Sequence, residues 1–584
     1  MYGTPGRQAL YALGVVLMAF PVSLRVAWPG VSRSELLLSV SILGIGLYGI
    51  KILHSPLHFA MFDEFLHWVS AQNVMESDHL FIPNALLPIS PLYPGLEILT
   101  TALTNLSGLS IFAAGVLVIG IARVAFLYAL FVIAELLTGS FRVAALACVV
   151  FMANSNFAGF QALFAYESLA FIAMTLAFLA ALRLIHEERH SGFYLFVGAA
   201  FAGATVVTHH LASYFCAGAL TSLAALCFLQ AGFARRTILA AVLAAIAVTG
   251  DLAWWDSTGG AGSGYLGPFI KSGFEELLAL ITSKSARVPF SSAEGGLQLP
   301  LWQKWTGLAG FLLTCLGLAT GFFRSLNAAG GRISISGSRI PFSWRNSGLV
   351  FFTLLTLAFP VSVLLRFTQS GWEIGNRMST FVSLGVCIVV AIAIAGLWQG
   401  ASRSRLRATL IAVSLTIMVV GGVGLAWGLS TINHPYRVGA DAQSIEPMGI
   451  GAATWSRKWL GPGQRFAADR INQILLATYG RQIPTTTQQD GFDISGVVFA
   501  SGVWEDELGI IKNDRIDYLM VDLRLSQALP ILGVYFEPGE DSGIHAIPPE
   551  PTALLKFNKI KGISRPFDNG AAIVYDVRYL HAAH

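Results

Sequence analysis

Long apolar runs recur along the whole chain and decide what it can fold into. Twelve of them reach about 20 residues, the length of a helix that crosses the hydrocarbon core of a bilayer. Charged residues make up only 12% of the 584 residues, against about 25% in soluble domains. These features exclude a soluble enzyme, a disordered regulator and a nucleic-acid-binding protein, and they predict a polytopic α-helical membrane protein. The predicted spans are 9–28, 35–53, 109–137, 143–163, 167–185, 193–209, 211–232, 237–255, 305–323, 348–366, 379–398 and 408–430.

The loops between these spans differ in charge. The loop 54–108 has no Lys or Arg but carries several acids, whereas the opposite set of loops is rich in arginine. Because Lys and Arg are retained on the cytoplasmic side, residues 54–108, 256–304, 367–378 and everything after 431 are predicted to lie outside the cytoplasm. The parity of the spans places the N-terminus outside as well. The arginines of the opposite set are Arg142, Arg183, Arg189, Arg235, Arg236, Arg324, Arg332, Arg339, Arg345, Arg403, Arg405 and Arg407.

The last 150 residues or so have a different composition, polar and of mixed charge. Residues 465–469 and 516–522 are typical of strands, and 470–480 of a helix that ends at a glycine. The sequence therefore predicts two parts. Residues 1–433 form the transmembrane bundle, and residues 434–584 form a soluble α/β domain on its outer face, periplasmic in a bacterium.

An acidic pair, Asp63 and Glu64, follows the second predicted span and is flanked by aromatic residues. Carboxylates at an apolar surface are costly unless they are paired or used. On a helix Asp63 and His67 share one face, because they are four residues apart, while Glu64 points elsewhere. The pair is predicted to be catalytic or metal-binding. The alternative is a helix start at which acids are favoured by the helix dipole.

Further polar residues stand at the outer ends of other spans. Glu167 opens the fifth span, and His209 and His210 lie between the sixth and seventh, where adjacent rings must face different directions. In the predicted outer loop 367–378, Arg377 has the planar, permanently charged group that suits phosphate oxygens. Its alternative role is a simple ion pair with Glu373.

Arg123 lies near the middle of the third span, where a charge normally faces the bundle interior or a wet cavity. Glu135 is twelve residues further along the same helix and too distant for direct pairing. The partner of Arg123 is therefore predicted to lie on another helix. The sequence does not identify it.

The arrangement resembles the GT-C superfamily of integral-membrane glycosyltransferases. The resemblance rests on the many-helix bundle, on Asp63 and Glu64 in the first large outer loop, and on a C-terminal soluble domain on the same side, whose segment 452–469 is similar to the start of such domains. The signature Trp-Trp-Asp of oligosaccharyltransferases is missing from the C-terminal domain. It occurs only at 254–256, at the end of a span, so that role is not transferred.

This resemblance implies an inverting transfer of a sugar from a polyprenyl-phosphate donor to a glycan, lipid or protein acceptor at the outer face of a bacterial inner membrane. Asp63 would be the general base, with Glu64 as the alternative, and Arg377 and Arg123 would bind the donor phosphate. A divalent cation (Mg²⁺, Mn²⁺ or Zn²⁺) could assist. The substrate or metal candidates are His67, Glu167, His209, His210 and Glu373.

Two other functions fit the same features. A transporter or lipid-linked glycan flippase would also contain intramembrane charge and many spans, although no internal repeat of the kind common in transporters is evident. A glycan polymerase would share large outer loops and key arginines. The size of the outer domain favours the glycosyltransferase.

Overall fold

The computed structural model describes residues 5–187, 189–262, 299–330, 346–368, 371–397, 405–426, 436–537 and 546–582, together with a few isolated residues between these ranges. Within them, 11 helices are long and apolar enough to cross a membrane, and 12 if one sharply bent pair counts as a single span. A small α/β sheet domain follows the bundle. The predicted architecture, a polytopic helical bundle with a C-terminal α/β domain, is therefore confirmed.

Most of the bundle consists of long helices. The helices of the bundle are α1 Pro5–Ala27, α2 Arg33–His54, α3 Phe62–Ser77, α4 Gly95–Ser107, α5 Ile111–Thr138, α6 Phe141–Met152, α7 Ser155–Ala158, α8 Tyr166–His186, α9 Ser191–Thr208, α10 His210–Ala231, α11 Arg235–Ser257, α12 Leu301–Gly330, α13 Asn346–Leu355, α14 Ala358–Leu365, α15 Gly371–Gly396 and α16 Arg405–Gly424. Those of the C-terminal domain are α17 Asp441–Ser444, α18 Pro447–Leu460, α19 Arg470–Thr478, α20 Thr487–Asp490, α21 Ser495–Phe499, α22 Glu505–Asn513, α23 Pro551–Leu554 and α24 Tyr579–Ala582.

The predicted span 143–163 is not one straight helix. It is broken between α6 and α7, where the chain bends by 75°. Asn154 stands at the break and caps α7, since its side-chain oxygen accepts a hydrogen bond from the backbone N–H of Asn156. Short polar side chains that bond to nearby backbone compete with the helix ladder. Asn154 thus favours the bend locally, by capping the helix that follows it.

The predicted span 348–366 is also divided, into α13 and α14. Pro360 has no N–H to donate to the carbonyl four residues earlier, so the ladder is interrupted at this point. The predicted outer loop 367–378 is shorter than expected, because α15 begins at Gly371. Glu373 and Arg377 consequently lie on the first turns of a helix. The predicted outer loop 256–304 and the domain boundary at 433/434 fall largely or wholly outside the described residues.

The N-terminal helical hairpin is anchored by a charge pair. Arg33, the first residue of α2, contacts Glu135 near the end of α5, with an N–O distance of 2.7 Å. The start of α2 and the end of α5 therefore lie at the same end of the bundle. The opposite end carries α3 and the site described below. Glu135 has its partner here and does not pair with Arg123.

The C-terminal domain is built on a five-stranded mixed sheet. Its strands lie side by side in the order β4 (Ile483–Pro484), β3 (Arg465–Ala467), β5 (Tyr518–Asp522), β7 (Ala572–Asp576) and β6 (Ser564–Asp568). Strand β3 is parallel to β4 and β5, while β7 is antiparallel to β5 and β6. Both predicted strands and the predicted helix are present with shorter bounds. Strands β1 Ser334–Ile335 and β2 Ser338–Arg339 precede this domain in the chain and form a separate two-stranded sheet.

The C-terminal domain packs directly on α3. Trp68 meets Tyr479 edge-on, with the ring centroids 5.0 Å apart. At the far end of α3, the guanidinium of Arg481 donates to Glu76 at 2.9 Å and to Asn73 at 2.8 Å. These contacts bury apolar residues of both parts in one shared cluster. The amino end of α3, which holds the acidic pair, is thereby enclosed between the bundle and the domain.

Candidate active site

Asp63 lies in the first turn of α3, at the seam between the bundle and the C-terminal domain. Its side chain is half-buried, and among the described residues it has no hydrogen-bond or ion-pair partner. Burial raises the pKa of this carboxyl, while the nearby Arg377, and after it His67, lower it. Glu373 and Asp441 raise it further. Asp63 is thus a carboxylate close to positive charge yet available to a ligand.

Glu64, the adjacent acid, is placed very differently. It is completely buried, and it accepts hydrogen bonds from the backbone N–H groups of Ala60, Met61 and Phe164 at 3.1, 3.3 and 3.1 Å. Its Oε1 also lies 2.5 Å from Nζ of buried Lys51. These contacts hold the end of α2, the start of α3 and the segment before α8 together. The carboxylate of Glu64 is occupied by the fold.

His67 is buried one turn after Asp63. Its Nδ1 lies 3.1 Å from Oε1 of Glu97, and its Nε2 is 3.5 Å from the backbone N–H of Tyr166. The pattern fits a neutral ring that donates through Nδ1 and accepts through Nε2, a tautomer inferred from these partners. The ring also packs on Tyr166, with the centroids 4.4 Å apart. Its orientation is therefore fixed from two sides.

Arg377 is the positive centre of the site. One terminal nitrogen lies 3.3 Å from Glu167 and the other 2.7 Å from Glu373, one helical turn away. The guanidinium also stands over the ring of Phe160 at 5.6 Å. The predicted pair with Glu373 is present, alongside the pair with Glu167. The Arg377 side chain is 17% exposed and can be reached by a ligand.

The two adjacent histidines face different neighbours, as expected of consecutive residues. His209 caps α10 by accepting from Ala212 through Nδ1, and its Nε2 points to Glu167 at 3.8 Å. The ring of His210 packs on Tyr93, 5.2 Å between centroids. Both rings are fully buried. They form the inner wall of the site, behind Glu167.

The broken helix positions Arg377. The side-chain nitrogen of Asn156 donates to the carbonyl of Asn376 at 2.7 Å and to the hydroxyl of Thr380 at 2.8 Å. That of Asn154 donates to the hydroxyl of Ser383 at 2.6 Å. The asparagines that interrupt the apolar run therefore bind the outer turns of α15, which carry Arg377. Buried, satisfied polar networks of this kind fix one arrangement of a site.

Arg123 lies apart from this cluster. It donates to the carbonyl of Phe157 at 2.6 Å, and its guanidinium stands 3.9 Å from the ring of Phe157 and 5.3 Å from that of Tyr48. As predicted, the partner is on another helix, and it is a carbonyl in the broken segment. The charge helps to satisfy backbone polarity at a break inside the membrane. It is absent from the charges that act on Asp63.

The structure thus brings seven of the nine candidates into one cluster, with Glu64 beside it in a structural ion pair and Arg123 elsewhere. The clustered residues are Asp63, His67, Glu167, His209, His210, Glu373 and Arg377.

Sequence reasoning missed Lys51, Asn156 and Arg470. The position of Lys51 was a visible signal, because it stands just before the outer end of a span whose following loop has no Lys or Arg. The pair of asparagines in an apolar run was likewise a visible signal. Nothing local marks Arg470, whose guanidinium lies 3.8 Å from the ring centroid of Phe62. That contact exists only because the two parts of the chain dock.

The described residues form no preassembled site for a divalent cation. No three His, Cys, Asp or Glu side chains in the described ranges are arranged to hold a metal ion. The carboxylate of Glu167 is paired with Arg377, and that of Glu373 is too. The positive charge of this site comes from a guanidinium.

The sequence matches no protein-family model and no curated protein. Solved structures do share its fold. The archaeal oligosaccharyltransferase AglB from Archaeoglobus fulgidus, in complex with an inhibitory peptide and a dolichol-phosphate, aligns over 84% of this chain and 69% of its own, with a TM-score of 0.54 and 11% identity. The mycobacterial arabinofuranosyltransferase AftD aligns over 94% of this chain and 42% of its own, with a TM-score of 0.52 and 14% identity.

These structures define the class of fold. The chain has the GT-C fold, the polytopic membrane fold of glycosyltransferases such as AglB and AftD, followed by a C-terminal domain. The resemblance drawn from the acidic pair and the bundle is thereby confirmed at the level of the fold.

Proposed function

We propose that this protein is an inverting glycosyltransferase that moves a sugar from a polyprenyl-phosphate donor to a hydroxyl of a glycan, lipid or protein acceptor. The reaction takes place at the outer face of a bacterial inner membrane. Asp63 is the general base, and Arg377 binds the donor phosphate. The fold shared with AglB and AftD supports the general kind of reaction. The roles of individual residues rest on their surroundings in this chain.

One observation carries the proposal most directly: Asp63 is unengaged. The other acids around it are each held by a cation or by backbone N–H groups, whereas Asp63 makes no such bond within the described residues. A general base needs a lone pair directed at the substrate and a pKa brought towards neutrality. Half-burial at the seam supplies the second condition, because burial raises the pKa of Asp63.

The chemical step balances with these two residues. The acceptor oxygen forms a bond to C1 of the sugar from the face opposite the phosphate, and its proton passes to Asp63. The bond between C1 and the phosphate oxygen breaks, and its electron pair leaves with polyprenyl phosphate. Negative charge therefore grows on the phosphate as the bond breaks. A preorganised cation at this position stabilises the transition state.

Arg377 suits the phosphate because its charge acts on Asp63 and its side chain remains partly exposed. A guanidinium can present two parallel N–H groups to a phosphate. Arg123 is better explained as a structural residue, since the carbonyl of Phe157 and two aromatic rings surround it. Glu64, paired with Lys51, is assigned to the fold in the same way.

The test is transfer from a radiolabelled polyprenyl-phosphate sugar by the purified full-length protein in nanodiscs, with a panel of glycan, lipid and protein acceptors. We expect label in one acceptor class, with the anomeric configuration inverted, and transfer slowed about 10²–10⁴-fold in Asp63→Asn. Movement of intact donor across a vesicle membrane without transfer would instead identify a flippase. Growth of one glycan by many units would identify a polymerase.

The orientation can be tested separately. A reporter that is active only outside the cytoplasm, fused after His584, should be active. Activity of a cytoplasmic reporter alone at this position would place Asp63 and the C-terminal domain on the wrong side for a donor presented at the outer face.

A further inference from the structure

A groove of about 860 Å³ lies on the side of the C-terminal domain that faces the end of α2. Helix α18 forms one wall with Met448, Trp455 and Trp459, and the edge of the sheet forms another. The ring of Trp455 packs on Phe567 at 4.9 Å, so this wall is firm. The volume and the mainly apolar lining are typical of a ligand site. None of the residues assigned to the reaction lines it.

The polar groups of the groove are mostly donors. Glu446 is used up, because it accepts from the backbone N–H groups of Met448 and Gly449 and pairs with Arg524 at 2.9 Å. Asn569 is also engaged, because its side-chain nitrogen donates to the carbonyl of Met448 and its side-chain oxygen accepts from the backbone N–H groups of Ala571 and Ala572. An acceptor-rich ligand therefore complements the groups that remain.

The remaining groups carry positive charge or N–H donors. Lys458 is exposed and its Nζ lies 5.1 Å from the ring centroid of Trp459, without an acidic partner in the described part of the chain. The imidazole of His58 lines the same groove and is also exposed. The indole N–H groups of the two tryptophans add neutral donors. This donor set complements an anionic, oxygen-rich headgroup.

The groove also adjoins the lipid-facing surface. His58 follows the outer end of α2, where Leu53 and Leu57 are 80% and 74% exposed. Large apolar side chains this exposed, at the end of a spanning helix, are covered by acyl chains in a membrane. Tryptophan and lysine are the residues that favour the boundary between acyl chains and headgroups. Trp459, which lines the same groove as His58, is 65% exposed.

We propose that this groove binds the phosphate-bearing headgroup of a lipid from the outer leaflet. The headgroup contacts Lys458 and His58 between the two tryptophans, and the acyl chain lies over Leu53 and Leu57. The occupant is an anionic membrane lipid. The apolar wall would give free phosphate nothing to bury, so soluble phosphate is not the expected occupant.

The groove is connected to the candidate active site through the chain itself. His58 and Asp63 are five residues apart, a span of at most about 18 Å. A lipid held here steadies the segment that leads into α3 and holds α18 at the membrane surface. This inference does not depend on the transfer reaction, and it can hold if that proposal fails.

The test uses full-length protein in nanodiscs of equal phosphatidylglycerol and phosphatidylcholine, released for native mass spectrometry. We expect wild type to retain phosphatidylglycerol preferentially. Lys458→Glu should reduce the retained phosphatidylglycerol at least about fivefold, the effect of one basic residue at an anionic surface. Lys561→Glu, an exposed lysine of the same domain outside the groove, is the matched control and should change nothing.

A second measurement locates the lipid. In nanodiscs of phosphatidylcholine that contain phosphatidylglycerol brominated near the headgroup, the brominated lipid should quench Trp459, so that Trp459→Phe lowers the quenched fraction of the fluorescence. Trp504→Phe removes an equally exposed tryptophan (64%) away from the groove and should leave that fraction unchanged. Equal effects of both variants, equal lipid retention by Lys458→Glu and wild type, or displacement of the lipid by millimolar inorganic phosphate would overturn the proposal.

Discussion

The guanidinium carbon of Arg470 lies 3.8 Å from the ring centroid of Phe62, the residue before the candidate base. Arg470 belongs to the C-terminal domain and Phe62 to the first turn of α3, so this stack joins the two parts of the chain beside Asp63. Arg470 also pairs with buried Asp441 at 3.1 Å. Asp441 in turn is one of the charges that raise the pKa of Asp63. The domain thus influences the acidity of a residue in the bundle.

Arg470→Ala should therefore alter the pH profile of the reaction. Without its partner, the charge of Asp441 acts more strongly on Asp63, and the acid limb of kcat/KM should move to higher pH. Arg481→Ala is the matched control, because it loosens the same docking surface at Glu76, at the far end of α3. An identical shift in both variants would attribute the effect to loose docking instead.

Asp63→Asn should abolish most of the activity while leaving the protein folded and able to bind the donor. Asparagine keeps the shape but cannot accept the proton, so the transfer rate should fall about 10²–10⁴-fold, the usual contribution of a general base. The wild-type rate should decline as the pH falls through the raised pKa of Asp63, above the ordinary aspartate range. Near-normal transfer by Asp63→Asn would mean that Asp63 is only an acid favoured by the helix dipole at the start of α3.

The same variant should be more stable than wild type at neutral pH. In the folded protein the pKa of Asp63 is raised. Between the ordinary aspartate pKa and this higher one, the folded state holds a proton that the unfolded chain has lost. The free energy of unfolding therefore falls as the pH rises through this window. At pH values above this window, Asp63→Asn should unfold at a higher temperature than wild type. The difference between their unfolding temperatures should vanish below about pH 4.

Glu64→Gln should damage stability more than chemistry. It leaves buried Lys51 without its counter-charge, and removing one partner of a buried ion pair costs about 3–5 kcal/mol. The double variant Lys51→Met/Glu64→Gln should recover part of this loss, because neither charge then remains unpaired. Chemical or thermal unfolding of the three proteins measures it. A stable but inactive Glu64→Gln would exchange the roles of the two acids.

Arg377→Lys should be poorly tolerated. A lysine is a point charge and cannot bridge Glu167 and Glu373 while also presenting a planar pair of donors to phosphate. We expect a loss of about 2–4 kcal/mol of transition-state stabilisation, by analogy with removal of an oxyanion donor. Glu373→Gln retains the guanidinium and should be mild. Normal kcat/KM in Arg377→Lys would reduce Arg377 to a structural partner of its two acids.

Local pattern was sufficient for much of the architecture. The number of spans and the presence of a C-terminal α/β domain depend on the distribution of apolar and polar residues, which is a property of short stretches. The positions at which helices begin, end and break could be predicted less well from local sequence. The break at Asn154 and the helical start of α15 depend on side chains that bond across to another helix, such as Asn156 with the carbonyl of Asn376. A single stretch of sequence does not contain those partners.

The sequence by itself determined that the chain spans a membrane and that the loops at the two ends of its spans differ in charge, and it marked nine residues as candidates for the site. Only the tertiary structure shows how the surroundings of Asp63 and Glu64 differ. Neighbours on a helix point about 100° apart, so their surroundings come from different parts of the chain. Lys51 and the N–H of Phe164 reach Glu64 from elsewhere and engage it, whereas half-buried Asp63 has the charge of Arg377 nearby and no hydrogen-bond or ion-pair partner among the described residues. Which acid remained available was therefore settled by packing.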